Sequence, residues 1–138
     1  MTWVYDDGGR ARAGFKGEAG DCVTRAIAIA AQLPYREVYD ELARGEADAG
    51  RARSARNGIR RKVYQAYLEY LGWSWRPIMG IGTGCTVHLR ADELPTGRLI
   101  CSVSKHMVAV VDGVVHDTHD CTREGTRCVY GYWFDPRA

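Results

Sequence analysis

The segment that most restricts the fold is an apolar, valine-rich stretch interrupted by the dipeptide Asp112-Gly113. Asp-Gly is typical of the two-residue type I′ turn, which joins neighbouring antiparallel strands. The residues on either side, 106–111 and 114–117, are rich in valine and contain no glycine or proline, as is common in strands. The sequence therefore predicts a β-hairpin over residues 106–117.

The turn also determines which side chains of this hairpin lie close together. With a two-residue turn, Val111 pairs with Val114, and the same register places His106 opposite His119. Because side chains two residues apart share a face of a sheet, His106 and Asp117 are then diagonal neighbours. A longer turn would shift the register and move some of these side chains to the other face. We therefore expect a carboxylate within reach of His106, with His119 as a rival to Asp117.

Helical patterns dominate the first half of the chain. The run 22–33 has no glycine or proline and is apolar on nearly all sides, which predicts a buried helix with Asp21 as its N-cap. Two further patterns predict a short helix over 35–43 and a third helix over 58–71, with Gly72 as the stop signal.

The second half of the chain changes to strand patterns. Besides the hairpin, strands or extended pieces are predicted over 73–77, 98–104 and 128–134. Helices followed by an antiparallel sheet indicate an α+β fold. We expect one domain over residues 1–138, made of an irregular lead-in (1–20), a helical part (21–72) and an antiparallel sheet (73–138).

Composition and charge narrow the functional classes. Five cysteines occur without paired spacing and no secretory leader is evident, so we expect reduced thiols in a cytoplasmic protein. No apolar run has the length needed to cross a bilayer, so we expect no membrane association. The net charge is only +2, and the arginine-rich stretch 44–62 is interpreted as a solvated surface. We therefore expect no nucleic-acid binding.

Cys22 is the candidate nucleophile of this chain. In the first turn of a helix, unpaired backbone N–H groups and the helix dipole lower the pKa of a thiol. The same N–H groups can bind the oxyanion that forms during acyl transfer. Position alone also allows a core cysteine, because free cysteines are often buried. A histidine oriented by a carboxylate is the base that such a thiol needs, so His106 and Asp117 favour catalysis.

Two short motifs resemble the papain-like cysteine peptidase superfamily in a minimal bacterial or phage form. They are Gly-Asp-Cys-Val-Thr-Arg-Ala-Ile-Ala-Ile-Ala (20–30) and Ser-Lys-His-Met-Val-Ala-Val-Val-Asp-Gly-Val-Val-His-Asp-Thr (104–118). In that superfamily the nucleophile opens a helix that packs on an antiparallel sheet, the histidine begins a strand, and an Asn or Asp lies on the next strand.

The resemblance implies a papain-like α+β fold with Cys22 as nucleophile, His106 as base and Asp117 as the residue that orients the histidine. It implies cleavage of a peptide, isopeptide or amide bond in a peptide or protein substrate, without a cofactor. Deamidation and acyl transfer would use the same three residues, and the sequence does not distinguish these reactions.

The chain departs from the superfamily at the oxyanion hole. Many members place a glutamine a few residues before the nucleophile, whereas no Gln or Asn precedes Cys22 in this sequence. Lys16 and Thr24 are the nearby side chains that could donate instead. A non-catalytic papain-like binding or assembly module is therefore the second functional hypothesis.

Two other groups of residues are candidates for binding. Gly82 and Gly84 lie in a glycine-rich loop that lacks the Lys-Ser/Thr of a phosphate-binding loop. We expect this loop and Asp21 to border the cleft and bind substrate, because glycines allow close approach of another backbone. The alternative of a zinc-stabilised domain draws on residues whose spacing matches no established zinc motif, so no metal is expected. These residues are Cys85, His88, His116, His119 and Cys121.

Overall fold

A computed structural model describes residues 1–17, 19–80 and 82–138 of the chain. Glu18, in the expected lead-in, and Ile81, in the expected glycine-rich loop, lie outside the described residues. The helices are α1 (Cys22–Ala31), α2 (Tyr35–Asp48) and α3 (Arg61–Tyr70). The strands are β1 (Thr2–Tyr5), β2 (Ser74–Pro77), β3 (Arg98–Val103), β4 (His106–Val111), β5 (Val114–Asp117) and β6 (Gly131–Phe134).

The strands form one mixed sheet in the order β1-β5-β4-β3-β6-β2. The expected α+β class is confirmed, but two details of the prediction are wrong. Thr2–Tyr5, expected to be irregular, forms β1. This strand pairs in parallel with β5, so the sheet is not wholly antiparallel. The segment is rich in aromatic and β-branched residues, which favour strands, and it covers an edge that β5 would otherwise expose.

The hairpin has the predicted register. Val111 pairs with Val114, and Asp112 and Gly113 have φ angles of 48° and 79°, as a type I′ turn requires. The Asp112 carboxylate also accepts a hydrogen bond of 2.7 Å from the backbone N–H of Gly97. The turn is therefore fixed both by its own backbone preference and by a neighbouring loop.

The helices differ from their predicted bounds mainly at their ends. α2 continues to Asp48 instead of ending near residue 43, and Arg44 forms an ion pair with Glu41 one turn earlier. α3 begins at Arg61 instead of Gly58. Glycine has a low helix propensity, which is consistent with the later start.

Two apolar cores lie on opposite faces of the sheet. α1 packs against β4 and β3, so Met107 and Ala109 of β4 join the core that contains this helix. Val108 and Val110 alternate with them and join the second core. Because both faces are covered, β4 is apolar at successive positions rather than at every second one. Within the described residues, no helix combines the length and the apolar character that crossing a membrane requires.

A disulfide joins Cys85 to Cys128, which corrects the expectation that all thiols are reduced. These two cysteines are 43 residues apart in sequence, so their spacing carries no signal for pairing. An antiparallel bridge between His88 and Cys128 brings the two segments together. The cysteines that stay free are Cys22, Cys101 and Cys121.

We expect Gly131→Ala to lower the free energy of unfolding by about 1–3 kcal/mol, as overpacking does. A Cβ at this position would come within 2.5 Å of the Trp75 ring and 2.7 Å of the Arg76 carbonyl oxygen. In the control variant Gly58→Ala, the added Cβ meets nothing within 4 Å. Denaturant unfolding followed by circular dichroism measures both. Equal destabilisation of the two variants would contradict the close packing of β6 on β2.

Candidate active site

Cys22 is the first residue of α1, and its side chain is partly exposed. The preceding residue, Asp21, occupies the N-cap position as predicted, but its side chain makes no capping hydrogen bond. Its carboxylate, only 1% exposed, accepts hydrogen bonds from Arg25 and Tyr35 instead. The first turn of α1 therefore presents its backbone N–H groups beside the thiol without a capping carboxylate.

His106 and Asp117 meet as the hairpin register predicts. The Nε2 atom of His106 lies 2.6 Å from the Oδ2 atom of Asp117. Both side chains are largely buried, so this bond is shielded from water. Because Nε2 is engaged by the carboxylate, Nδ1 is the ring nitrogen that can serve a nucleophile.

His119 does not replace Asp117 as the partner of His106. Its ring lies beside that of His106, with centroids 5.3 Å apart, but its own side chain is 58% exposed. The Nδ1 atom of His119 is 4.0 Å from Asp117, beyond hydrogen-bond distance. β5 ends at Asp117, so the ladder does not continue to His119.

The thiol of Cys22 interacts with the imidazole of His106. Burial raises the pKa of Cys22, but the hydrogen bond and the charge of His106 outweigh burial, assisted by the Met107 backbone N–H and by Arg25. The pKa of Cys22 is therefore lowered from its ordinary value of 9.0. Burial lowers the pKa of His106, but contacts with Asp117, Cys121 and Cys22 raise it to about 11. These directions favour a thiolate–imidazolium pair near neutral pH.

Asp117 is held in one orientation by donors on both oxygens. Its Oδ1 atom accepts hydrogen bonds from the Arg25 guanidinium at 3.2 Å and from the Thr118 backbone N–H at 2.7 Å. Its Oδ2 atom is bound to His106. Burial raises the pKa of Asp117, but His106, the Thr118 N–H and Arg25 lower it to about 2. The carboxylate is therefore ionised, as an orienting residue for an imidazolium must be.

Arg25 is a site residue that the sequence did not reveal. It lies on α1 three residues after Cys22, is buried, and bridges the carboxylates of Asp21 and Asp117. Arg10 reaches the same network through Tyr35. The available signal was an arginine four residues after an aspartate in an otherwise apolar helix.

Cys121 is the second residue that the sequence analysis did not assign to this site. Its thiol is 2% exposed, and ligand atoms of Cys121, His106 and Asp117 all lie within 4.8 Å of one another. Cys22 packs against the core that contains α1, whereas Cys121 belongs to the second core. His106 therefore stands at the end of the sheet between a partly exposed thiol and a buried one.

The two proposed oxyanion donors have different surroundings. Thr24 is fully buried, and its hydroxyl donates to the carbonyl oxygen of Ala55 at 3.2 Å, so it is not free for an oxyanion. Lys16 is exposed, and its carbonyl oxygen accepts a hydrogen bond from Arg10. The Thr24 bond also attaches the loop before α3 to the start of α1.

That loop brings Asn57, which follows the nucleophile in sequence, to the start of α1. Its Oδ1 atom accepts a hydrogen bond of 3.4 Å from the backbone N–H of Gly20, two residues before Cys22. The papain-like pattern places an amide donor before the nucleophile, so it does not point to Asn57, which follows Cys22. No local pattern could have found it, because the contact spans 37 residues.

The residues predicted to bind substrate have different surroundings. Gly82 and Gly84 are exposed with φ angles of 82° and 67°, and in the described parts of the chain no hydrogen bond joins them to the three candidate catalytic residues. Asp21 lines a cavity of about 520 Å³ together with Arg25 and Thr118, although its carboxylate is engaged inside the protein. Substrate binding by these residues stays a prediction.

The five residues considered for zinc do not form one cluster among the described residues. Cys85 and His88 lie with Cys128, whereas Cys121 lies with His106. The remaining members, His116 and His119, contact Asp6 and Asp117 respectively.

The arginine-rich stretch is partly neutralised by acidic neighbours. Arg44 contacts Glu41 and Asp48, and Arg51 contacts Glu46. The lack of nucleic-acid binding stays an expectation, with this charge pairing as its support.

No protein-family model, no curated protein and no solved structure matches the chain. The likeness to papain-like peptidases stays a prediction that depends on the two sequence motifs.

We expect His106→Ala to raise the pKa of Cys22, because burial would then act without the imidazolium that opposes it. Below its pKa a thiol is protonated and unreactive, so the wild-type thiolate persists to lower pH than the variant's thiolate. At acidic pH, each unit of increase in the pKa of Cys22 lowers the fraction of thiolate about tenfold. Iodoacetamide labelling at about pH 6, followed by mass spectrometry, should show slower modification of Cys22 in the variant.

The matched control for this measurement is His116→Ala. His116 lies on β5 and pairs with Asp6, and it makes no contribution to the pKa of Cys22. We expect its labelling profile to follow that of the wild type. If both histidine variants label Cys22 at the wild-type rate across the pH range, the thiolate–imidazolium pair does not exist.

Proposed function

We propose that this chain is a papain-like cysteine hydrolase that cleaves a peptide, isopeptide or amide bond through an acyl-enzyme. The observation that carries the proposal is the 2.6 Å contact between His106 and Asp117 beside Cys22, whose pKa the His106 imidazolium lowers. A thiol at a helix N-terminus, a histidine and an orienting carboxylate are the three groups that thiol acyl transfer uses.

In the first step the Cys22 thiolate attacks the carbonyl carbon of the scissile bond. The electron pair of the carbonyl moves to oxygen and returns as the carbon–nitrogen bond breaks. The His106 imidazolium donates its proton to the departing amine, which leaves a neutral imidazole and a thioester. Asp117 keeps the ring in the orientation that presents Nδ1 to the reacting atoms.

In the second step water replaces the amine. Neutral His106 takes a proton from the attacking water as the carbon–oxygen bond forms, and the electron pair of the thioester carbonyl moves to oxygen. This pair then returns, and the Cys22 thiolate leaves as the carbon–sulfur bond breaks. The carboxylic acid product departs and the thiolate–imidazolium pair is restored. An amine instead of water would give acyl transfer, and a side-chain amide as substrate would give deamidation.

The oxyanion of each tetrahedral intermediate needs hydrogen-bond donors, and two groups are candidates for this role. The backbone N–H groups of the first turn of α1 lie beside Cys22 without a side-chain cap. The second donor in our proposal is the side-chain amide of Asn57, whose Oδ1 atom is already occupied by the Gly20 N–H. Among the described residues, none accepts a hydrogen bond from the NH₂ group of this amide.

The cavity beside the buried ion network is the proposed binding region for part of the substrate. Its volume is about 520 Å³, and its lining extends from Asp21, Arg25 and Thr118 to aromatic side chains of residues 1–20. The aromatic members of its lining are Tyr5 and Phe15. A mixture of cationic and aromatic groups suits a peptide or protein substrate, whose backbone carbonyls accept hydrogen bonds and whose side chains need contact area.

The test is to trap the acyl-enzyme with a generic acyl donor, p-nitrophenyl acetate, and to follow turnover on a library of peptide aminocoumarin amides. Intact mass spectrometry after acid quench should show one acetyl group on Cys22 of the wild type and none on Cys22→Ala. Asp117→Asn should lower kcat by about 10²- to 10⁴-fold, as loss of an orienting carboxylate does. The control Asp48→Asn changes an exposed carboxylate of α2 and should leave kcat unchanged.

The outcomes separate the two functional hypotheses. Release of acetate and cleavage of at least one amide support the hydrolase. A stable acetyl adduct without turnover on any substrate favours the binding or assembly module with the same fold. A wild-type chain that forms no adduct contradicts nucleophilic catalysis by Cys22.

We expect Asn57→Ala to lower kcat by about 10²-fold with little change in KM, because an oxyanion-hole donor acts mainly in the transition state. Asn57→Asp should be as impaired, since a carboxylate cannot donate. Gln65→Ala is the matched amide control, because Gln65 is partly exposed on α3 and its side-chain oxygen accepts a hydrogen bond from Arg61. A wild-type kcat in both Asn57 variants would exclude this amide from the oxyanion hole.

A further inference from the structure

A second cluster of potential metal ligands lies away from the residues used in the proposed mechanism. One ligand atom each from Cys85, His88 and Cys128 lies within 4.8 Å of the other two. Thiolate sulfur and imidazole nitrogen are the ligands that zinc prefers in proteins, at about 2.3 Å and about 2.0–2.1 Å. In the structure the sulfurs of Cys85 and Cys128 are joined as a disulfide, and reduction would convert them to two thiols.

The backbone holds His88 and Cys128, two members of this cluster, together independently of the disulfide. His88 and Cys128 face each other across an antiparallel bridge, with a backbone hydrogen bond on either side of the pair. Opposed residues in this position have closely spaced side chains. The next residues along, Leu89 and Val129, are buried in the second core. The flanking hydrogen bonds are Leu89 N–H to Arg127 O at 2.8 Å and Val129 N–H to Val87 O at 2.9 Å.

His88 is already oriented in the way that metal-binding histidines are. Its Nδ1 atom lies 3.2 Å from the Oε1 atom of Glu93, which leaves Nε2 for a metal. A carboxylate on the second ring nitrogen fixes the tautomer and raises the basicity of the ligand. Arg90 contacts the other carboxylate oxygen at 3.3 Å and so holds Glu93 in place.

The other thiol–imidazole cluster is a poorer place for a cation. It contains His106, Asp117 and Cys121, and the guanidinium of Arg25 lies 3.2 Å from the carboxylate that would have to bind the ion. A divalent cation there would meet a fixed positive charge and would have to displace the bond from His106. Cys85 is exposed, so both a reductant and a metal ion can reach its sulfur.

We propose that, after a dithiol reductant opens the disulfide, Cys85, His88 and Cys128 bind one zinc ion. The reductant supplies two electrons and two protons and becomes a disulfide itself, while the protein gains two thiols. Zinc then displaces both thiol protons and accepts a lone pair from Nε2 of neutral His88, with water as the fourth ligand. The disulfide and the metal are alternative links between the glycine-rich loop and the segment that leads into β6.

The test uses the full chain in its disulfide form and after reduction with dithiothreitol and desalting under nitrogen. Each form is incubated with zinc chloride and desalted again, and bound zinc is measured by inductively coupled plasma mass spectrometry. We expect about one zinc per reduced chain and none on the disulfide form. His88→Ala should lose the metal, and Glu93→Gln should weaken binding by about 10- to 100-fold, as loss of an outer carboxylate does.

Substitution of cobalt for zinc gives a readout that does not depend on activity. Thiolate-to-cobalt charge-transfer absorption should develop in the reduced wild type and be absent in Cys128→Ser. The controls Cys22→Ala and Cys121→Ser remove thiols of the other cluster and should keep one zinc. A reduced wild type that binds no zinc overturns the proposal, as does zinc that survives His88→Ala but is lost in Cys22→Ala or Cys121→Ser.

Discussion

The hydrogen bonds of the buried Asp117 carboxylate are the interactions on which the candidate site depends. One oxygen of this carboxylate accepts a hydrogen bond from Arg25 of α1, and the other is hydrogen-bonded to His106 of β4. The carboxylate therefore joins the helix to the sheet. A buried charge is tolerated only when it is paired and hydrogen-bonded, and removal of one partner leaves the others uncompensated. The same contact therefore supports the packing of α1 on the sheet and the orientation of the imidazole.

The free thiols show how position decides the chemistry of a cysteine. Cys22 is partly exposed at a helix N-terminus, with His106 and Arg25 to stabilise its negative charge. Cys101 is fully buried, and burial raises its pKa far above the ordinary value. Cys121 has its thiol within 4.8 Å of a ring nitrogen of His106 and is buried in the second core. Cys22 is the partly exposed thiol of the three, and its pKa is lowered.

Much of the candidate site could be predicted from local patterns. The Asp112-Gly113 turn fixed the register of the hairpin, and this register is why the contact between His106 and Asp117 could be inferred before any coordinates. The start of α1 at Cys22 also followed from local composition. These inferences succeeded because turn chemistry and side-chain periodicity act over a few residues.

Contacts between distant segments were decided by the tertiary structure alone. The parallel pairing of β1 with β5, the disulfide between Cys85 and Cys128, and the approach of Asn57 to Gly20 leave no periodic signal in the sequence. Arg25 interrupts an otherwise apolar helix, and the tertiary structure buries it between the carboxylates of Asp21 and Asp117. The sequence by itself determined the helix that begins at Cys22 and the hairpin that carries His106 and Asp117, because both are local. The tertiary structure alone decided which charges, amides and thiols surround them, because long-range packing sets those neighbours.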